Sequence, residues 1–119
     1  MISKDDILKV SLDLFNTRGE RHTTSNHIAL ALNISSGDLY CHFRNKNEII
    51  YAIFKQYESL VDKFLATPDT PTFDMEHLSF YFEAIYESLW SYRFLYRDLE
   101  HLLSIDSRLS SEYRAFALR

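Results

Sequence analysis

A chain of 119 residues is long enough for one compact domain, or for one small domain and part of a second. Apolar residues make up 46% and aromatics 15%, which excludes disorder through low hydrophobicity; two glycines and two prolines are too few for the turns of an all-β fold. A net charge of -4 excludes a chain that is basic over its whole surface.

The expectation is therefore an all-α protein. Cys41 is the single cysteine, so there is no internal disulfide and no Cys/His finger spacing. No stretch approaches the roughly 18 apolar residues of a membrane helix. Charges fill the N-terminal MISKDDILKV where a signal peptide needs its apolar region. Together these point to the cytoplasm and away from the membrane.

Ile7, Leu8, Val10, Leu14 and Phe15 recur in helical register over residues 5–17, with Lys9, Asp13 and Asn16 on the outward side. Ser3 or Asp5 can cap this helix, and Gly19 can stop it in a left-handed conformation. Thr23 or Thr24 offers the cap of a short second helix over 24–31, with Ile28, Ala29 and Leu32 inward. Asn33 suits a left-handed turn, and Ser35 or Ser36 can cap a third helix ending at Tyr40 or Cys41. Two short helices joined by a tight turn, the second polar at its front, make a helix-turn-helix pattern.

From Asn45 to Ala66, apolar residues from Ile49 to Leu65 repeat every three or four positions, and Asn45 with Glu48 fits a capping box. Such a helix would span about 30 Å. Both prolines fall in ATPDTPTF, residues 66–73, the expected linker. Leu78, Phe82, Ile85, Leu89 and Trp90 outline another long helix. LYRDLEHLLSID outlines a further one, and SRLSSEYRAFALR begins one more, capped near Asp106 or Ser107. The pattern is still running at Arg119. The expected organisation is 1–46 as a helix-turn-helix domain, 47–66 as a connecting helix, and 67–119 as the start of a helical C-terminal domain cut short.

The spacing Leu14-Phe15 to Gly19, then Thr24 to Ile28-Ala29, then Leu39-Tyr40-Cys41-His42-Phe43-Arg44-Asn45-Lys46, resembles the N-terminal DNA-binding domain of the TetR family of bacterial repressors. The resemblance covers about residues 5–60, and LWSYRFLYRDLEHLL more weakly resembles the start of the ligand-binding domain in one branch of the family. It implies a sequence-specific transcriptional regulator, most simply a ligand-responsive repressor in a bacterial cytoplasm. The full-length form would be a homodimer that sets two third helices in successive major grooves of a palindromic operator. An effector, a small molecule of unknown identity, would change the separation of the two heads.

Residue by residue, the resemblance implies that Thr24 holds a DNA phosphate and that Ser35, Ser36, Gly37 and Asp38 face the major groove. It implies that Tyr40 and His42 contact phosphate or base edges, that Lys46 binds backbone phosphate, and that Leu39 and Phe43 are core. Free amides at helix N-termini suit phosphate independently of the family. Two positions depart from the pattern: Asn26 stands where a basic residue is common, and Asp38 where threonine or asparagine is common. Asp38 can accept from a cytosine amino group or cap the third helix.

The charge is divided along the chain. Arg18, Arg21, Arg44 and Lys46 outnumber Glu20 and Asp38 within residues 18–46, whereas residues 67–119 hold five basic and nine acidic residues. A basic reading face and an acidic body are compatible with the net value.

Cys41 and His42 are adjacent and point different ways on a helix, and no His pair is spaced i, i+4, so no metal or other cofactor is expected. The C-terminal aromatics, Phe82, Tyr86 and Trp90 among them, fit either an effector pocket or ordinary core. Arg93, Arg97, Asp98 and Glu100 read as a solvated face with helical ion pairs. No catalytic constellation is visible, and an enzyme built around His101 is a remote alternative. A nearer one is a truncated helical module that heterodimerises with a related regulator without binding DNA itself.

Overall fold

A computed structural model describes residues 2–65 and 75–117, without side-chain positions at 64, 65, 75–78 and 81. The expected linker at 66–73 lies outside the described residues. Among them the chain is helical and contains no strand. The helices are α1 (Lys4–Arg18), α2 (Ser25–Leu32), α3 (Ser36–His42), α4 (Lys46–Leu65), α5 (Met75–Ser91), α6 (Arg93–Arg97), α7 (Leu99–Ile105) and α8 (Ser107–Ala117), with a 3-10 turn at Glu20–His22.

Local chemistry accounts for most boundaries. Ser3 caps α1 in a reciprocal box with Asp6, so the cap is the serine and not Asp5. Gly19 ends α1 at φ 91°, a conformation open to glycine, while its N–H still donates to the Phe15 carbonyl. Thr24 caps α2, and Thr23 is instead buried, donating its hydroxyl to the Gly19 carbonyl at 2.9 Å.

Asn33 takes the left-handed conformation (φ 57°, ψ 43°), and Ile34 N–H reaches back to the Ala29 carbonyl at 3.0 Å. That closes α2 in the six-to-one pattern of a Schellman turn and fixes the direction of α3. Ser35 caps α3, which runs one residue beyond the expected end, to His42.

Asn45 caps α4 by accepting from Glu48 N–H at 3.0 Å. The Glu48 carboxylate is drawn to Arg108 on α8, 3.1 Å away, whose guanidinium also lies 3.7 Å over the Tyr51 ring. Here a tertiary ion pair takes the side chain expected to complete the local box.

The C-terminal half departs from expectation within 95–106, expected as one helix. The segment 92–105 is divided at Asp98 (φ -108°, ψ 18°) into α6 and α7, and α5 breaks from α6 at Tyr92. The corner at Tyr92 is held by a side chain from 75 residues earlier. Asn16 donates from Nδ2 to the Ser91 carbonyl at 2.7 Å and accepts the Phe94 N–H at 3.1 Å. A side chain thus supplies the partners that an uninterrupted helix would supply itself.

Asn16, expected outward, is buried. Arg97, expected on a solvated face, donates to the carbonyls of Phe15 and Asn16 at 2.7 and 3.0 Å and so covers the C-terminus of α1. One apolar cluster holds the described residues together. It runs from Ile7, Phe15, Ile28 and Leu39 through Ile49, Ile50 and Ile53 of α4 to Phe94, Leu102 and Leu109. Phe15 and Phe94 meet at its centre with ring centroids 5.0 Å apart.

Candidate nucleic-acid interface

The α2–α3 unit is anchored from beneath and polar on top. Ile28, Ala29 and Leu39 are buried, whereas Thr24, Asn26, Ser35, Ser36, Gly37, Asp38, Tyr40 and Cys41 are exposed. Phe43 is half-buried against the core, in keeping with its expected role.

Each exposed residue has a defined local setting. The Thr24 hydroxyl accepts His27 N–H at 3.3 Å while His27 Nδ1 accepts Thr24 N–H at 3.1 Å, a capping box with histidine in the usual glutamate position. Among the described residues, the amides of Ser25 and Asn26 take no internal bond, so the start of α2 offers two free donors beside the Thr24 hydroxyl. Asn26 Oδ1 accepts from the Ser36 hydroxyl at 3.1 Å, which ties α3 to α2 on the exposed side.

Asp38 fills the capping role. It accepts Ser35 N–H at 3.4 Å while its own N–H donates to the Ser35 hydroxyl at 3.0 Å. The His42 ring folds back on its own helix, with Nδ1 3.0 Å from the Asp38 carbonyl, and leaves Nε2 for an outside partner. Tyr40 projects from the same helix, 64% exposed.

Gly37 is helical, and a methyl group there would meet only Ser35 Oγ at 3.7 Å, ordinary contact distance. The fold does not need a glycine at this position; a partner that must approach the backbone closely would. Gly37→Ala is therefore expected to stabilise the free protein by about 0.5–1 kcal/mol in thermal unfolding. The same change is expected to weaken DNA binding in anisotropy titrations, and stability and affinity moving together would remove Gly37 from the reading face.

Lys46 is placed otherwise than as an open phosphate ligand. Its ammonium lies 2.8 Å from Glu20 Oε1 and donates to the carbonyls of Glu20 and Thr23 at 2.9 and 3.2 Å. It pins the start of α4 to the turn before α2. Glu20, expected only as a surface charge, is 1% exposed, and its second oxygen lies 3.3 Å from His101 Nε2 of α7. No local pattern in the sequence marks Glu20 or Asn16 as buried, because their partners are far along the chain.

Phe82, Tyr86 and Trp90 are 60%, 67% and 58% exposed along α5, with Arg93 stacked 4.2 Å over Trp90. Among the described residues an apolar space lies between α4 and α6–α8, lined by Phe54, Tyr57, Leu95, Leu102, Leu109 and Tyr113. Its volume is about 10 Å³, room for roughly one water and far below the 300–1,000 Å³ of a typical ligand site. The Tyr57 and Tyr96 hydroxyls meet at its edge, and burial together with that contact pushes the Tyr96 phenol above its ordinary range. Among the described residues no group of three or more His, Cys, Asp or Glu is gathered to hold a metal, and no helix is long and apolar enough to cross a membrane.

A capped helix, a left-handed Asn turn and a second helix with a polar exposed front define the helix-turn-helix class. Comparison with known proteins gives the family. Residues 7–53 match the model of bacterial regulatory proteins of the tetR family, and residues 56–119 match the TetR bacterial transcriptional repressor model. The chain belongs to the TetR family.

It is 30% identical over 87 residues to the HTH-type transcriptional repressor KstR2 of Mycolicibacterium smegmatis, covering 72% of this chain and 42% of that protein. It is also similar to the crystal structure of a TetR-family transcriptional regulator from Marinobacter aquaeolei VT8, at 53% identity and a TM-score of 0.91. That match takes in 100% of this chain and 59% of the other. The chain thus spans about half the length of these relatives.

Proposed function

We propose that the protein is a sequence-specific DNA-binding transcriptional repressor whose α3 enters the major groove. The observation that carries this reading is the exposed polar front of α2 and α3. Ser35, Ser36, Gly37 and Tyr40 stand clear of a buried Leu39, beside two unpaired amides at the start of α2. Thr24 and those amides suit a backbone phosphate, Tyr40 and His42 Nε2 a phosphate or base edge, and Ser36 and Asn26 the groove. In this scheme Asp38 shapes the helix and reads no base, and Lys46 supports the surface from below.

The working form would be a homodimer on a palindromic operator, located in the cytoplasm. A small-molecule effector acting through the C-terminal helices would regulate it. A cavity of about 10 Å³ requires the α6–α8 side chains to part before any such molecule enters.

Fluorescence anisotropy on DNA from the region upstream of its own coding sequence, against a scrambled duplex, tests the reading. Selective binding that weakens steeply with salt is expected. Equal affinity for both duplexes, or none at low salt, would overturn it. Within the same assay Tyr40→Phe is expected to lose about 0.5–1.5 kcal/mol through one hydrogen bond. Unchanged affinity would take Tyr40 off the contact surface.

A further inference from the structure

Glu20 has no evident business in a hydrophobic core. It is 1% exposed, and a carboxylate so placed is costly unless opposite charge is brought to it. Lys46 brings that charge, and the His101 ring faces the second oxygen. Lys46, the first residue of α4, lies 2.8 Å from Oε1, and His101 of α7 lies 3.3 Å from Oε2. Neither oxygen accepts an aligned hydrogen bond, so Lys46 holds the carboxylate by charge at close range and His101 closes over its other side.

The Glu20 backbone belongs to the turn that leads into the α2 cap, and its carbonyl and that of Thr23 are both bonded by Lys46. The other residues that grip this end of α1 belong to α6, just before His101 in the chain. Phe94 N–H bonds to Asn16, and Arg97 bonds to the Phe15 and Asn16 carbonyls. Positions 94 and 97 are i and i+3 on α6, and His101 reaches the turn after α1 from α7, beyond the break at Asp98.

We propose that Glu20 and His101 form a latch through which α6 and α7 set the pose of α2 and α3, with Lys46 tying Glu20 to α4 as well. Both are positioning residues: neither touches DNA in the reading above, on which the functional meaning of the latch rests. A movement of α7 that withdraws His101 would leave Glu20 to Lys46 alone and release the turn before α2.

The test is amide hydrogen exchange on the free, full chain in a double-mutant cycle. His101→Ala is expected to lower protection across residues 19–33 about tenfold or more, the effect of losing one contact to a charged group, while 53–60 of α4 keep theirs. In a Glu20→Gln background, where no buried charge needs His101, the same substitution is expected to change protection by less than about twofold. Equal losses in both backgrounds, a loss confined to α7 and α8, or a uniform loss over the whole chain would each overturn the latch. Exchange is read without DNA, so a chain that binds no operator still decides the latch, and a chain without a latch leaves the anisotropy result standing.

Discussion

Lys46→Ala is expected to destabilise the free protein by about 3–5 kcal/mol, because it strands a buried carboxylate. Glu20 is 1% exposed and its carboxylate would keep only His101 at 3.3 Å, while the Thr23 carbonyl loses the Lys46 donor and the Glu20 carbonyl keeps only Thr23 N–H. The informative comparison is the double variant Lys46→Ala/Glu20→Gln. A neutral amide is far less costly to bury than an uncompensated charge, so the double variant should recover most of the lost stability in urea denaturation followed by circular dichroism. If Lys46 served only as a phosphate ligand, its removal would leave stability unchanged and flatten the salt dependence of DNA binding by about one unit. The two roles therefore predict effects in different experiments, and a stability loss below about 1 kcal/mol would set the tie aside.

Phe94→Ala is expected to cost about 3–5 kcal/mol by leaving a phenyl-sized void in a closed core. Phe94 is fully buried, and its ring meets Phe15 at 5.0 Å, so the void opens where α1 packs on α6. Because one apolar cluster runs from Ile7 to Leu109, the loss should appear as a single earlier transition. Fluorescence of Trp90, the single tryptophan, should report on α5, and far-UV circular dichroism on all helices. Coincident midpoints are expected; separated midpoints would mean that the N-terminal and C-terminal helices unfold as independent units. Phe94→Leu, which keeps most of the volume, should recover over half the loss.

The parts of the molecule that could be read from the sequence are those with local causes. Ser3, Thr24, Ser35 and Asn45 announce helix starts because a cap bonds within three residues, and Gly19 and Asn33 announce stops because few residues accept a positive φ. Asp38 admitted two roles on residue type, and its reciprocal bonds with Ser35 fill the nearer one.

What escaped is what sequence distance hides. Asn16 was expected outward on α1 because polar residues usually face water, yet its partners are the backbone of Ser91 and Phe94. That contact lies at the corner between α5 and α6, where two separate helices were expected; the break that was missed is the one at Asp98, inside the segment 95–106 expected as one helix. Helical spacing placed Phe82, Tyr86 and Trp90 on α5, but periodicity cannot say which apolar stripe the rest of the molecule covers.

The sharing of α1's final turn has a bearing on chimeras. Arg97 and the Ser91–Phe94 corner complete bonds that α1 cannot complete alone. An N-terminal domain exchanged between relatives at residue 46 would arrive with the Asn16 carbonyl uncovered, an asparagine without its corner and a carboxylate without its histidine. A graft that brings residues 91–101 along with 1–46 would keep those partners, so the natural unit of exchange in this protein is discontinuous in sequence.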